Sequence, residues 1–114
     1  MNRFIAWLTF FIVYIILSSA QIVDELNTPI GPISQNTKVT VTWTLLPDKD
    51  ANNKYGQLSA TNLYKTDVTI IDSKVPLAPK SYTWEVSLQA GEYILGLDDG
   101  TELKQSGEVE VRAP

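Results

Sequence analysis

The chain of 114 residues contains no cysteine and no histidine. Small secreted domains often depend on disulfide bonds, so a domain without cysteine has to be stabilised by its apolar core. Cysteine and histidine are also frequent catalytic groups, no G-x-S-x-G sequence occurs, and no pattern positions a Ser–Lys pair. We therefore expect no catalytic residues, no cofactor and no enzymatic activity.

Basic residues are scarce as well. The chain has nine Lys and Arg against thirteen Asp and Glu, which gives a net charge of −4. Nucleic-acid binding rests on neutralising phosphates with basic side chains, so we expect no nucleic-acid partner. No asparagine begins an Asn-x-Ser/Thr sequence, so we also expect no N-glycosylation.

The amino terminus has the pattern of a secretory signal peptide. One positive charge precedes fourteen residues, Phe4 to Leu17, that are apolar except for Thr9, and small residues follow up to Ala20. An uncleaved membrane anchor is the alternative, but fourteen helical residues reach only about 21 Å, less than the roughly 30 Å of a bilayer core. We expect residues 1–20 to be cleaved and the protein to be secreted, with no membrane segment left.

Cleavage after Ala20 leaves residues 21–114, a mature chain of 94 residues and enough for one small domain. The signal peptide contains one basic residue and no acidic residue, so the mature net charge is −5.

The mature chain shows no helical spacing of apolar residues over three turns. Lys38 to Leu45 instead alternates apolar residues, including Val41 and Trp43, with threonines, which is the pattern of a strand with one buried face. Weaker strand patterns occupy residues 21–26, 58–64, 67–72 and 108–112, and turn signals separate them. We predict an all-β, antiparallel β-sandwich of about seven strands, with an open barrel as the alternative.

The most regular pattern covers Ser81 to Gly100. Tyr82, Trp84, Val86 and Leu88 alternate with polar residues, and a second alternating run begins after Gly91. The two runs predict either a β-hairpin or a crossing from one sheet to the other.

Two acidic stretches raise the question of metal binding or acid–base chemistry. Asp48 to Asn52 has the D-x-D-x-N spacing that opens a calcium loop, but Asn53 and Ser59 stand where such a loop needs glycine and glutamate. Asp98-Asp99-Gly100 is a favoured turn sequence. We interpret both stretches as turns and predict no metal site.

Aromatic side chains are the stronger candidates for a binding site, because aromatic faces stack on sugar rings. Trp43, Trp84, Tyr82 and Tyr93 all have the inward parity of their strands, which predicts that they pack in the core. This leaves Tyr55, which we place in a loop, and Tyr64 as the candidate ligand-binding residues.

Several segments, in this order, resemble one known family: Thr28-Pro29, VTVTW ending at Trp43, ATNLYK, VPLAPKSYTWEV, GEYILGLDDG and SGEVEV. The chain resembles the N-terminal domain of the fungal cell-wall glucan-synthesis (Kre/Knh-type) family, which also occurs in secreted Ser/Thr-rich GPI-anchored proteins of fungi. The resemblance covers residues 27–112, and its most specific part is Y-x-W-x-V followed by G-x-Y.

The resemblance implies an immunoglobulin-like sandwich, export to the cell surface or wall, and a loose link to β-1,6-glucan or wall assembly. It implies no catalytic residues. Because neither a polar spacer nor a hydrophobic tail follows Arg112 in this sequence, we expect no GPI anchor. We therefore expect a secreted, non-enzymatic module whose partner is a wall polysaccharide or an extracellular protein. The alternative is an effector-like or adhesin-like protein-interaction module with no glycan role.

Overall fold

A computed structural model describes residues 21–114, and the predicted signal peptide, residues 1–20, lies outside this range. Within residues 21–114 the chain forms eight strands, namely β1 (Val23–Leu26), β2 (Ile33–Ser34), β3 (Lys38–Leu45), β4 (Tyr55–Asn62), β5 (Val68–Pro76), β6 (Ser81–Glu85), β7 (Gly91–Asp98) and β8 (Leu103–Arg112). No helix in this range is long and apolar enough to cross a membrane.

The strands form two sheets, one of three strands in the order β1-β3-β6 and one of five in the order β2-β8-β7-β4-β5. All pairings are antiparallel except that of β2 with β8, which is parallel. In immunoglobulin nomenclature β1, β3 and β6 take the places of strands A, B and E, and β8, β7, β4 and β5 those of G, F, C and C′. The predicted all-β, immunoglobulin-like sandwich is confirmed, with one short parallel pairing in addition.

The segment between β1 and β2 carries the chain from one sheet to the other. It contains Pro29 and Pro32, which have no backbone N–H to donate and are therefore excluded from a central strand. The short β2 then pairs with the end of β8, through Ile33 opposite Val111 and Ser34 opposite Arg112. The two prolines therefore lie in a bend between the sheets.

The most regular stretch of the sequence also passes between sheets. β6 pairs with β3, with Val41 opposite Tyr82 and Val39 opposite Trp84, whereas β7 pairs with β4 and β8. Residues 81–100 therefore form a crossing and not a hairpin. This crossing places the β6–β7 corner at one end of the sandwich.

The core lies between the inner faces of the two sheets. Trp43 and Trp84 are buried there, as their parity predicted, and Trp43 Nε1 donates a hydrogen bond of 3.0 Å to the Leu77 carbonyl. The fully buried side chains come from both sheets and include Val23, Val41, Leu58, Val75, Leu77, Leu95 and Leu97. Apolar burial of this kind is the main source of stability in a domain without disulfide bonds.

Three strands differ in length from the prediction. β4 begins at Tyr55 and ends at Asn62, β5 continues beyond the predicted residues 67–72 to Pro76, and β8 begins at Leu103. Because β4 ends at Asn62, Leu63 belongs to a turn, which explains why it does not follow the alternation of the strand before it. β5 keeps its pairing through register shifts opposite Gly56 to Ser59, where β5 has two more residues than β4.

Candidate functional site

The turn between β4 and β5 is held by Asn62. Its side-chain Oδ1 accepts hydrogen bonds of 2.9 Å from the backbone N–H groups of Tyr64 and Lys65. Its backbone accepts from Thr66 and donates to the carbonyl of Asp67, both at 2.9 Å. Asparagine often organises a turn in this way because its short side chain reaches the backbone two or three residues ahead.

The β6–β7 corner faces this turn across the end of the sandwich. Tyr93, near the start of β7, is buried and donates a hydrogen bond of 2.8 Å from its hydroxyl to the Gln89 carbonyl, four residues upstream. This is the tyrosine corner of immunoglobulin-like sandwiches. Gln35 adds a second bond across the corner by donating from Nε2 to the Leu88 carbonyl at 2.8 Å.

A cleft of about 240 Å³ lies between the turn and the corner, which we call the end cleft. Its floor is Leu88 and the ring of Tyr93, and its polar lining is Asn62, Lys65, Asp67, Thr69, Ser87 and Gln89. Within residues 21–114, no side-chain hydrogen bond or ion pair occupies the Asp67 carboxylate, the Gln89 amide or the Ser87 hydroxyl. The end cleft therefore offers a carboxylate, an amide and hydroxyls above an apolar floor, which suits a neutral ligand rich in hydroxyl groups.

Tyr64 stands on the same turn as Lys65 and Asp67. Its side chain is 78% exposed, and its hydroxyl donates to Glu92 Oε2 at 3.3 Å. The negative charge of Glu92, the hydrogen bond to it and the charge of Glu108 all raise the pKa of Tyr64. The hydroxyl therefore stays protonated at neutral pH, and the exposed ring stands on the turn that also supplies Lys65 and Asp67 to the end cleft.

Tyr55 lies at the other end of β4, where it is the first residue of the strand. The expected loop position was wrong, because pairing with β5 extends β4 back to Tyr55 opposite Pro76. Its side chain is 45% exposed, and Lys74 Nζ lies 4.7 Å from the ring centroid in a cation–π contact. The length of β4 separates Tyr55 from Tyr64 by about 24 Å, so the two tyrosines do not form one platform.

The other predicted aromatic core residues differ in degree of burial. Tyr82 is half-buried and donates from its hydroxyl to Asp72 Oδ2 at 2.8 Å, which joins β6 of one sheet to β5 of the other. The hydrogen bond raises the pKa of Tyr82, and together with the Lys74 backbone N–H it lowers the pKa of Asp72. These contacts are structural, and they engage both side chains.

The carboxylates of Asp98 and Asp99 accept hydrogen bonds within the β7–β8 turn. Asp98 Oδ1 accepts from the Gly100 N–H at 2.8 Å. Asp99 is buried, and its Oδ1 accepts from the N–H and hydroxyl of Thr101 and from the N–H of Glu102. Its Oδ2 accepts from the N–H groups of Ile22 and Val23 at 2.8 and 3.0 Å, so that Asp99 attaches the amino-terminal segment to this turn.

The D-x-D-x-N stretch also has the contacts of a turn. Asp50 Oδ1 accepts from the Asn52 N–H at 2.9 Å, and Asp48 and Asn53 have positive φ angles of 61° and 58°. In the part of the chain that the structure describes, no three Asp or Glu side chains lie close enough together to hold a metal ion.

No protein-family model matches the chain, and no curated protein matches it. Among solved structures, the chain is similar to an Fn3-like protein from Clostridium thermocellum, with 12% sequence identity and a TM-score of 0.44 over 81% of this chain and 94% of that one. The assignment to the immunoglobulin-like class therefore rests on the strand order described above. The resemblance to the glucan-synthesis family stays a prediction.

Sequence reasoning identified Tyr64 but missed the polar residues of the end cleft. The sequence did not fix the register of the strand predicted at residues 58–64, and Asn62, Lys65 and Asp67 lie in or beside this strand. Gln89 is more than twenty residues away from them in the chain. One local signal was present. The sequence Asn-Leu-Tyr-Lys-Thr-Asp at positions 62–67, after a run of alternating residues, is typical of a turn.

Proposed function

We propose that the protein is a secreted, non-enzymatic module of the cell surface or cell wall that binds a polysaccharide at the end cleft. One observation carries the proposal. The β4–β5 turn contains both the exposed ring of Tyr64 and part of the lining of a cleft in which the Asp67 carboxylate, the Gln89 amide and the Ser87 hydroxyl have no side-chain partner within residues 21–114. Aromatic stacking combined with polar side chains that bind hydroxyls is the chemistry by which a protein holds a sugar.

The size and shape of the end cleft support a binding role over a catalytic one. A volume of about 240 Å³ accommodates one sugar ring of a longer chain, below the size of typical small-molecule pockets. Asp98 and Asp99, the adjacent carboxylates that sequence analysis considered, are both used by turn hydrogen bonds. The predicted signal peptide supports export, and the family resemblance makes β-1,6-glucan the first polymer to test.

The test is retention of the exported protein on insoluble wall glucan, together with its affinity for a soluble β-1,6-glucan. Wild-type protein is expected to bind. Tyr64→Ala and Gln89→Ala are each expected to weaken binding about tenfold, equivalent to ~1.4 kcal/mol. The Gln89 side chain is a clean target, because its backbone carbonyl, and not its amide, accepts the bond from Tyr93.

Tyr55→Ala is the matched control, since it removes an exposed tyrosine from the opposite end of β4. Its binding is expected to equal that of wild type. Equal retention of wild type and Tyr64→Ala, or no retention of wild type on any wall glucan, would contradict the proposal. Steady release of reducing sugar by purified protein would contradict the non-enzymatic part of it.

A further inference from the structure

The outer edge of β5 is free within the described part of the chain. β5 ends the order of the five-stranded sheet, and among residues 21–114 only β4 pairs with it. Natural proteins protect such edges with charges, prolines, bulges or short strands. In β5 the charge of Lys74 and the proline at Pro76 lie in the second half, and the register shifts, which give β5 extra residues relative to β4, begin at Ile71. The first half, Val68–Ile71, has no charged residue.

The backbone of this first half is ready to pair with another strand. Asn62 donates to the Asp67 carbonyl and its own carbonyl accepts from Thr66, so that Asn62 and Asp67 stand at a hydrogen-bonded position of the ladder and form one of its two bonds. Because hydrogen-bonded and non-bonded pairs alternate in an antiparallel ladder, Val68 and Ile70, opposite Thr61 and Ser59, are the non-bonded residues. Their N–H and C=O groups therefore point away from β4 and offer two donors and two acceptors.

The side chains of the edge differ between its two faces. On the outer face, Val68 and Ile70 are 60% and 48% exposed. On the opposite face lie Asp67, whose carboxylate has no partner within residues 21–114, and Thr69. The extra residue that the register shift gives β5 at Ile71 brings Asp72 to this face as well, where its carboxylate accepts hydrogen bonds from Tyr82 and from the Lys74 N–H and keeps its negative charge. Lys74 does not neutralise this second face, because its Nζ lies over the ring of Tyr55.

We propose that the edge Val68–Ile71 binds an extended segment of a partner protein as an added β-strand, and that this segment alternates apolar and basic residues. Apolar side chains of the added strand would cover Val68 and Ile70 on the outer face. Its basic side chains would lie on the other face, beside Asp67 and Asp72. Main-chain hydrogen bonds supply affinity in strand addition, and the alternate side chains supply specificity.

Charge argues against a second copy of this chain as the occupant. An antiparallel pairing that sets Val68 opposite Ile70 of a second copy also sets Asp67 opposite Ile71 of that copy, next to its Asp72. The carboxylates would then be neighbours, which is unfavourable in a sheet. The mature chain as a whole is acidic as well. A basic partner would bring no carboxylate next to Asp67 or Asp72, and its charge would be opposite to that of this chain.

The probe is an acetylated and amidated hexapeptide that alternates lysine and valine, titrated into the exported protein and followed by ¹⁵N–¹H NMR. Shift changes are expected to centre on Val68–Ile71. The affinity is expected to be at least tenfold higher than for the matching glutamate–valine peptide, and to fall as salt is raised. Shift changes centred elsewhere, equal affinity for the two peptides, or no saturable binding would overturn the proposal.

Ile70→Pro is the decisive variant, because it removes an N–H that points away from β4 and leaves the β4 ladder intact. It is expected to weaken peptide binding at least tenfold and to leave glucan retention unchanged. Ile70→Thr keeps the N–H and is expected to weaken peptide binding less. If Ile70→Pro does not fold, the test uses wild-type protein and a peptide that is N-methylated at alternate residues. This peptide is expected to bind at least tenfold more weakly than the unmethylated one. If the proline variant or the methylated peptide binds as tightly as its unmodified counterpart, the proposal of strand addition is wrong. If the protein forms a dimer that Ile70→Pro abolishes, the edge binds a second copy of the chain and not a basic partner.

Discussion

At the scale of single residues, Asp99 has the most consequential position outside the end cleft. Its carboxylate accepts hydrogen bonds from the backbone of both the β7–β8 turn and the amino-terminal segment, residues that are more than seventy positions apart. Burial alone would raise its pKa, but the N–H groups of Ile22, Val23, Glu102 and Thr101 together outweigh burial and lower it to about 2. Asp99 is thus charged in the folded state throughout the physiological range.

Asp99→Asn is expected to reduce the free energy of unfolding by about 2 kcal/mol at neutral pH, because charged hydrogen bonds are replaced by weaker neutral ones and an amide N–H₂ group opposes backbone donors. Urea unfolding of wild type and variant measures the difference. Asp24→Asn, which changes an exposed carboxylate at the edge of the other sheet, is the control and is expected to have little effect. A change of less than about 0.5 kcal/mol would show that the attachment contributes little.

The same carboxylate predicts a pH dependence. Its pKa in the folded protein, about 2, is below the ordinary value of 3.8, so its contribution to stability is complete above about pH 4 and is lost as the pH falls towards 2. The wild-type protein should therefore lose stability over this range more steeply than Asp99→Asn.

At the scale of structural elements, the β6–β7 corner and the β4–β5 turn decide the shape of the end cleft. Each is held by its own local hydrogen bonds, through Tyr93 at the corner and Asn62 at the turn. Leu95, two residues after Tyr93, is fully buried and stands where disulfide-bonded immunoglobulin domains have their second cysteine. In this chain the buried side chain of Leu95 packs at that position in place of a disulfide bond.

Tyr93→Phe tests the corner as an element. The variant keeps the ring in the core and removes the bond to the Gln89 carbonyl, so the free energy of unfolding is expected to fall by about 1 kcal/mol. Thermal and urea unfolding measure this change. Tyr55→Phe removes a hydroxyl that makes no hydrogen bond within residues 21–114 and is expected to leave stability unchanged. If both variants lose the same amount, the tyrosine corner has no specific role.

At the scale of the whole molecule, the two sheets are held together by one apolar interior without a covalent cross-link. Trp43 and Trp84 are buried from the side of the three-stranded sheet, and the inner faces of β4, β7 and β8 close over them. Within residues 21–114, Trp84 Nε1 is the one buried side-chain nitrogen or oxygen that lacks a hydrogen-bond partner. A buried donor without a partner lowers the free energy of unfolding, and the apolar packing around Trp84 has to offset this loss.

Because Trp43 and Trp84, the two tryptophans within residues 21–114, are buried, their fluorescence is expected to be blue-shifted and protected from acrylamide in the native state. It should change in one transition that coincides with the loss of far-UV circular dichroism, as for a small cooperative domain. A reducing agent should not shift the midpoint, since the chain has no cysteine. Native tryptophans open to the quencher, or two separate transitions, would contradict a single shared core.

The sequence by itself determined which residues face inwards. Alternation in β3, β6 and β7 predicts the burial of Val41, Trp43 and Trp84, and the turn residues at positions 98–100 predict where β7 ends. These properties are local, because the two-residue period of a strand assigns each side chain to a face before any partner strand is known. The exposure of Tyr64 does not follow from this alternation, because β4 ends at Asn62 and Tyr64 belongs to the turn after it.

Only the tertiary structure decided which strands are neighbours. It placed β6 and β7 in different sheets, separated Tyr55 from Tyr64 by the length of β4, and brought Gln89 to the turn that follows Asn62. It also set Asp99 against Ile22 and left the first half of β5 without a partner within residues 21–114. Strand pairing depends on contacts between residues far apart in the chain, and the alternation of one strand contains no information about which other strand will lie beside it.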